Sequence, residues 1–308
     1  MDNNTKIIAL QKLLSDGQIM ALMAACENTI GYLPENANEW LQFFRERGVV
    51  ERNISLSEMQ KALSDAQQLV DESMEQDIGI VSYFDENFPE ALKAIVKNRK
   101  QAYPLVLYYK GNIKNVSTME AIAIIGTRHP SDEGLKMGEY YGKYFASEGF
   151  NIVSGLAMGC DAAAHKGALK AKGITTAFVA HGLDSIHPPQ NEELAERIIA
   201  SRGAIVSEYP IGTPVDSQNL VERNRLQAGL ADAVILVQTD IKKGGSMHAV
   251  NIAIENRKPV FAVKFDNERA NNHPMSLGNI KLINEKKAIA LTPERVGKVI
   301  EAIDKMNN

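Results

Sequence analysis

Two strand–turn–helix units, written back to back between residues 121 and 172, constrain this chain more than any other stretch. An apolar run, Ala121–Ile125, stops at Gly126-Thr127-Arg128. A second, Asn151–Val153, stops at Ser154-Gly155-Leu156-Ala157-Met158-Gly159. Both runs are short and rich in β-branched residues, and each precedes a segment with helical character. In an open parallel sheet, ligands bind just beyond the carboxyl ends of such strands. Small residues in these turns let a backbone come close to a ligand. The helix N-terminus that follows offers free N–H groups and a partial positive charge to an anion.

The same alternation runs to the end of the chain. Further strands are predicted at Thr175–Val179, Ala204–Ser207, Ala233–Val237 and Pro259–Val263. The helices fall at Gly134–Glu148, Gly159–Lys172, Asn191–Ser201, Val221–Leu230 and Gly245–Asn256. Alternating βα units imply a parallel sheet with helices on both faces. Thr292-Pro293 reads as a cap followed by Pro at the first position of a closing helix. Upstream, alternation from Asp77 to Tyr83 and the run Tyr103–Gly111 predict two strands that extend the edge of the sheet.

The first 75 or so residues differ in kind. Short amphipathic segments are punctuated by Gly17, Gly31, Pro34 and Gly48. Asn38 is expected to cap the helix carrying Trp40, Phe43 and Phe44, and Ser57 with Gln60 has capping-box spacing. The expected organisation is therefore a helical module over 1–75, which reads as a packing or dimerisation cap, and an α/β domain over 76–308.

A formal net charge of −4 excludes a chain that is basic throughout, so any nucleic-acid contact must come from a local patch. Cys26 and Cys160 form no spaced motif, which argues against a disulfide framework and fits a reducing cytoplasm. The opening MDNNTKII lacks the apolar core of a signal peptide, and no run reaches the length of a membrane span.

The loops after the predicted strands hold the candidate residues. Arg128 is a fixed cation at a strand end, suited to a bidentate grip on phosphate. Asp161 and His165 stand four apart on one helix, placed either to pair or to cap and orient the loop. Arg223-Asn224-Arg225 reads either as a solvated helix face or as a clamp on a nucleic-acid backbone. Lys242-Lys243-Gly244-Gly245-Ser246 has the character of a phosphate cradle but departs from the P-loop pattern, so no ATPase is inferred. The six histidines lack zinc-ligand spacing. No metal, cofactor or catalytic residue is expected.

Taken together, these loops resemble the DNA-processing protein A (DprA/Smf) family. The matching residues are Gly126-Thr127-Arg128, then Ser154-Gly155-Leu156-Ala157 with Asp161 and His165. Gly182-Leu183-Asp184 with Pro188 and Asn191 follows, then Ser207-Glu208-Tyr209-Pro210, Arg223-Asn224-Arg225, and Gly245-Ser246-Met247. The similarity spans about residues 77 to 290. It implies an extended Rossmann-like sheet, single-stranded DNA as ligand, a homodimer, and hand-over of the strand to a RecA-type recombinase, with no membrane association. The DNA- or phosphate-binding residues it implies are Gly126, Thr127, Arg128, Ser154, Gly155, Gly159, Arg223, Asn224, Arg225, Lys243, Gly245 and Ser246.

The chain departs from the family pattern in places. The stretch Asp216–Glu222 is acidic where the family is usually basic and aromatic, which predicts a shorter phosphate track and no base stacking there. The family's optional winged-helix tail is not expected from this sequence. Two other readings stand beside DNA binding. One is a sensor of a nucleotide or nucleotide-derived ligand. The other is a hydrolase of nucleotide N-glycosidic bonds similar to the lysine-decarboxylase-like phosphoribohydrolases, loosely echoed by Gly244-Gly245-Ser246 and Glu255.

Overall fold

In a computed structural model the described residues are 2–26, 33–48, 53–241 and 245–307. Gly31, Lys242, Lys243 and Gly244 lie outside them. Contacts divide the chain into one unit of Met1–Phe88 with Pro104–Tyr108, and a second of Pro89–Tyr103 with Tyr109–Asn308.

The first unit carries helices α1 (Asn3–Leu13), α2 (Asp16–Ala24), α3 (Ala37–Arg47) and α4 (Leu56–Glu75), then strand β1 (Gly79–Ser82). Each helix begins at a side chain that satisfies an otherwise free N–H. Asn36, not Asn38, caps α3 by accepting from the Glu39 N–H at 3.1 Å. The capping box of α4 is Ser55 with Glu58, two residues ahead of the expected Ser57 and Gln60. Both corrections have one cause: polar residues at overlapping spacing offer two possible starts, and the earlier one lengthens the helix by about half a turn. Trp40, Met59, Leu10 and Leu22 fill the interior.

In the second unit a short α5 (Glu90–Lys93) precedes a hairpin of β2 (Val96–Lys97) and β3 (Lys100–Gln101). Strand β4 (Val106–Gly111) follows, its residues through Tyr108 counted with the first unit and the rest with the second, and then helix α6 (Ile113–Thr118) of the second unit. The regular alternation then sets in: β5 (Ala121–Ile125), α7 (Asp132–Ser147), β6 (Asn151–Ser154), α8 (Cys160–Lys170), β7 (Thr175–Val179), α9 (Glu192–Ala200), β8 (Ala204–Ser207), α10 (Ser217–Leu230) and β9 (Ala233–Leu236). The chain continues through α11 (Ser246–Glu255), β10 (Val260–Val263), α12 (Glu268–Asn271), α13 (Leu277–Asn284), β11 (Ile289–Leu291) and α14 (Gly297–Asn307). Thr292 makes no side-chain cap, and Pro293 opens a single 3-10 turn before α14.

Strands β5 to β11 of this unit run parallel in the order β8-β7-β6-β5-β9-β10-β11. The order reverses beside β5, the switch point at which such sheets bind ligands. Parallel strands are covered on both faces, and β5, β6 and β7 are buried at every position. Phe145 and Phe261 are fully enclosed, each worth roughly 1.5–3 kcal/mol of burial. The fold is the expected α/β, Rossmann-like one. Gly126, Ser154 and Gly182 all fall at the carboxyl edge of adjacent parallel strands.

Candidate nucleic-acid interface

A cleft of about 500 Å³ opens at that edge beside β5. The turn after β5 forms one wall, and the Thr127 backbone fixes it twice. Its N–H donates to the Gln238 carbonyl beyond β9 at 2.8 Å, and its carbonyl accepts from the Cys160 N–H at the start of α8 at 3.1 Å. The Thr127 hydroxyl accepts from the His129 N–H at 3.2 Å. Three bonds thus rigidify the turn, and Arg128 stands exposed on it. That is the arrangement an anion anchor needs: a fixed backbone and a cation held in solvent.

The opposite wall is α10. Its first turn starts at Asp216, whose carboxylate accepts from the Gln218 N–H at 3.1 Å. Ser217, Leu220, Val221, Arg223, Asn224 and Gln227 face the cleft. Glu222 does not; it pairs with Lys97 at 2.5 Å. Of the two acids expected to weaken the track, one caps a helix and the other is neutralised. Gly245 and Ser246, at the start of α11, complete the rim. Asn224 donates to the Gly245 carbonyl at 3.3 Å, and Ser246 donates to Thr239 at 3.0 Å.

Behind the cleft lies a buried polar cluster. Arg223 is 5% exposed, and its guanidinium rests against Gly155. The surrounding donors assign the Gln227 amide oxygen to this side, where it accepts from the Gly155 N–H at 3.0 Å and from Arg223 Nη1. Among the described residues Arg223 Nε has no partner. Burial raises the Asp161 carboxyl above its usual range, against the pull of the nearby Arg223 charge. Asp161 stands in the first turn of α8 and accepts from the Ala157 N–H at 3.4 Å. The first N–H groups of α8 are spent on the chain's own backbone: Cys160 and Ala162 donate to the Thr127 and Ala157 carbonyls, each at 3.1 Å.

Asp161 and His165 do not pair. Thr175 donates its hydroxyl to the Ile152 carbonyl at 2.6 Å, so the contact of 2.6 Å between Thr175 and His165 Nδ1 must use the Nδ1 proton. His165 Nε2 is then a bare acceptor, without a partner among the described residues. Burial first, and the Arg223 charge second, push the ring's pKa down to about 3.

The glycines serve the chain's own packing. Gly159 sits at φ 83°, and a β-carbon there would meet the Thr127 and Arg128 carbonyls at 2.6 and 2.7 Å. A β-carbon on Gly126 would meet Cys160 Sγ at 2.6 Å. Burial holds that thiol up at about 12, so Cys160 is a neutral packing group and no nucleophile. Ser154 is buried and spends its hydroxyl on the Ile124 carbonyl at 2.7 Å.

The structure therefore brings Gly126, Thr127, Arg128, Arg223, Asn224, Gly245 and Ser246 to one cleft. Gly155 and Ser154 lie beneath it, and Gly159 locks its rim. Arg225 turns away. Its guanidinium meets Glu208 at 2.5 Å and the Ala102 carbonyl at 2.8 Å, and it is 7% exposed. Two residues apart on a helix are about 200° apart around its axis, so Arg223 and Arg225 cannot share a face. Glu255 also lies away from the cleft: it accepts from Asn98 and Arg99 N–H groups at 3.0 and 2.6 Å, holding the hairpin turn. The sequence pattern did not single out Gln227, which only the fold places against Gly155 and Arg223.

The family described as DNA recombination-mediator protein A matches residues 79–303. Protein Smf of Synechocystis is 35% identical over 199 residues, 64% of this chain and 48% of that protein. The DNA processing protein DprA of Bacillus subtilis is 35% identical over 214 residues, 68% of this chain and 67% of that protein. This chain spans about half the length of the Smf relatives from Synechocystis and Escherichia coli. The crystal structure of DNA processing protein A from Streptococcus pneumoniae superposes with a TM-score of 0.72 at 27% identity, covering 95% of each chain. A solved structure of DNA processing protein A from Helicobacter pylori, concerned with that protein's single-stranded DNA binding mode, gives a TM-score of 0.61 at 29% identity, covering 75% of this chain and 95% of that one. Among the described residues no helix is long and apolar enough to cross a membrane.

Proposed function

This chain belongs to the DNA recombination-mediator protein A family, and on that premise we propose that it binds single-stranded DNA by its backbone in the cleft beside β5. The observation that carries this reading is Arg128: an exposed guanidinium on a turn pinned at three points, at the mouth of a cleft whose other walls offer amide, hydroxyl and backbone groups, with the acids Asp161 and Asp240 also in its lining. Such a site grips phosphate and reads no base. Arg223 adds a buried positive charge behind it. Gly126, Thr127, Asn224, Gly245 and Ser246 shape the walls and supply neutral contacts. The binding is non-catalytic: the strand is held, protected and presented to a RecA-type recombinase. A homodimer would double the track and raise the effective concentration of the second site. Light scattering at tens of micromolar, roughly where ordinary dimers assemble, tests the dimer. Co-sedimentation with a recombinase on single strands tests the hand-over.

One observation favours a second reading. The cleft's volume of about 500 Å³ lies within the usual range for small-molecule sites, which suits a sensor of a nucleotide-derived ligand. A competition titration separates the two: oligothymidylate should displace a labelled strand while mononucleotides at the same phosphate concentration should not. Displacement by a mononucleotide, saturable and tight, would replace DNA binding with sensing.

A further inference from the structure

A second groove, of about 520 Å³, lies beside the cleft, and Arg128 and His129 line both. It runs over the faces of α7 and α8, on a floor of small residues from the first turns of α8. Lys136 of α7 and Lys166 of α8 stand on its walls, both exposed, and neither enters an ion pair among the described residues. The one carboxylate in its lining, Glu139, is held by Lys170 at 2.5 Å. Three cations with no free anion among them therefore form a stripe that begins at the cleft's own anchor. Met158, 43% exposed, presents an apolar surface in the same groove.

We propose that a single strand leaving the cleft continues across Arg128 into this groove, where Lys136 and Lys166 take its next phosphates. The inference rests on the reading of the cleft as a single-strand site and gives that site its direction. The track expected from the Arg223-Asn224-Arg225 segment cannot extend past Arg223, because Arg225 is committed to Glu208. On the α7–α8 side neither lysine enters an ion pair among the described residues, although Lys136 feels the Glu133 carboxylate, and the surface is continuous with the cleft through Arg128 and His129. A lysine is a point charge on a flexible stem, suited to following a backbone without fixing its geometry. Among the described residues no Phe, Tyr or Trp lines the groove, and His129 is its one ring, so the contact is mainly ionic and indifferent to base.

The strand's length makes the test. Oligothymidylates of about 4 and about 15 nucleotides bracket common single-strand site sizes. Their affinities for the parent, Arg128→Ala and the Lys136→Ala/Lys166→Ala double variant are measured against salt. Each single-strand phosphate contact contributes about 0.7 to the slope of log K on log salt. The double variant should lower the slope for the long strand by about 1.4 (two contacts) and leave the short strand unchanged. Both lysines are exposed, so an unchanged melting temperature verifies the fold. If Arg128→Ala weakens both strands while the double variant matches the parent on the long one, the groove is overturned and the cleft stands. If neither variant alters either strand, the cleft reading falls and the groove falls with it.

Discussion

The guanidinium of Arg223 occupies the space that a side chain at Gly155 would need. The residue after β6 and a residue in the middle of α10 are thereby fitted to each other, and Gln227 bonds both. A methyl group at 155 must push the guanidinium out or shift the strand end.

Gly155→Ala should accordingly destabilise the protein by about 1–3 kcal/mol, the usual cost of overpacking an enclosed site. It should also weaken strand binding, because the charge behind the cleft moves. Urea denaturation checks the first part and oligonucleotide titration the second. An unchanged midpoint would mean that Arg223 is free to leave Gly155 at no cost.

Arg223 and Arg225 should separate cleanly. Arg225 and Glu208 form a largely buried pair, and removing one partner of such a pair costs about 3–5 kcal/mol. Arg225→Ala should therefore lower stability, while the protein that remains folded keeps its affinity for single strands. A loss of affinity at unchanged stability would place Arg225 on the DNA instead.

The pH dependence follows from His165. Its folded pKa is held down to about 3 from the ordinary value of 6.5. Between those values the unfolded chain takes up a proton that the folded chain refuses, so stability falls as pH drops from 6.5 toward 3. His165→Leu removes the titrating ring, and Thr175 retains its bond to the Ile152 carbonyl. Denaturation midpoints across this range should fall less in the variant than in the parent. Parallel profiles would assign the acid sensitivity to other groups.

The central strands were legible because parallel strands buried on both faces must be continuous apolar runs, as Ala121–Ile125 and Thr175–Val179 are. Their turns were legible as a site because the carboxyl ends of such strands converge. The role of each glycine was not legible. Gly126 and Gly159 were read as room for a ligand, yet the atoms that approach them are Cys160 and the Thr127 and Arg128 carbonyls. Only the fold decides which atoms arrive. Nor does a linear R-N-R segment say which arginine faces the cleft. That depends on how α10 is rotated, and Arg225 is claimed by Glu208, 17 positions upstream. The caps of α3 and α4 were misplaced because Asn36 and Asn38, like Ser55 and Ser57, compete at nearly equal local merit.

Arg128 carries the account, and one titration addresses it most directly: oligothymidylate binding to the parent, Arg128→Ala and Arg128→Lys across a range of salt, with the fold of each verified by melting. Arg128→Ala should cost about 1–3 kcal/mol, as expected for a lost charged hydrogen bond, and flatten the salt slope by about one contact. Arg128→Lys should recover part of the affinity and most of the slope, since a point charge neutralises phosphate but cannot grip it in two places. If the folded Arg128→Ala protein binds the strand as tightly as the parent at every salt concentration, the cleft beside β5 does not hold DNA.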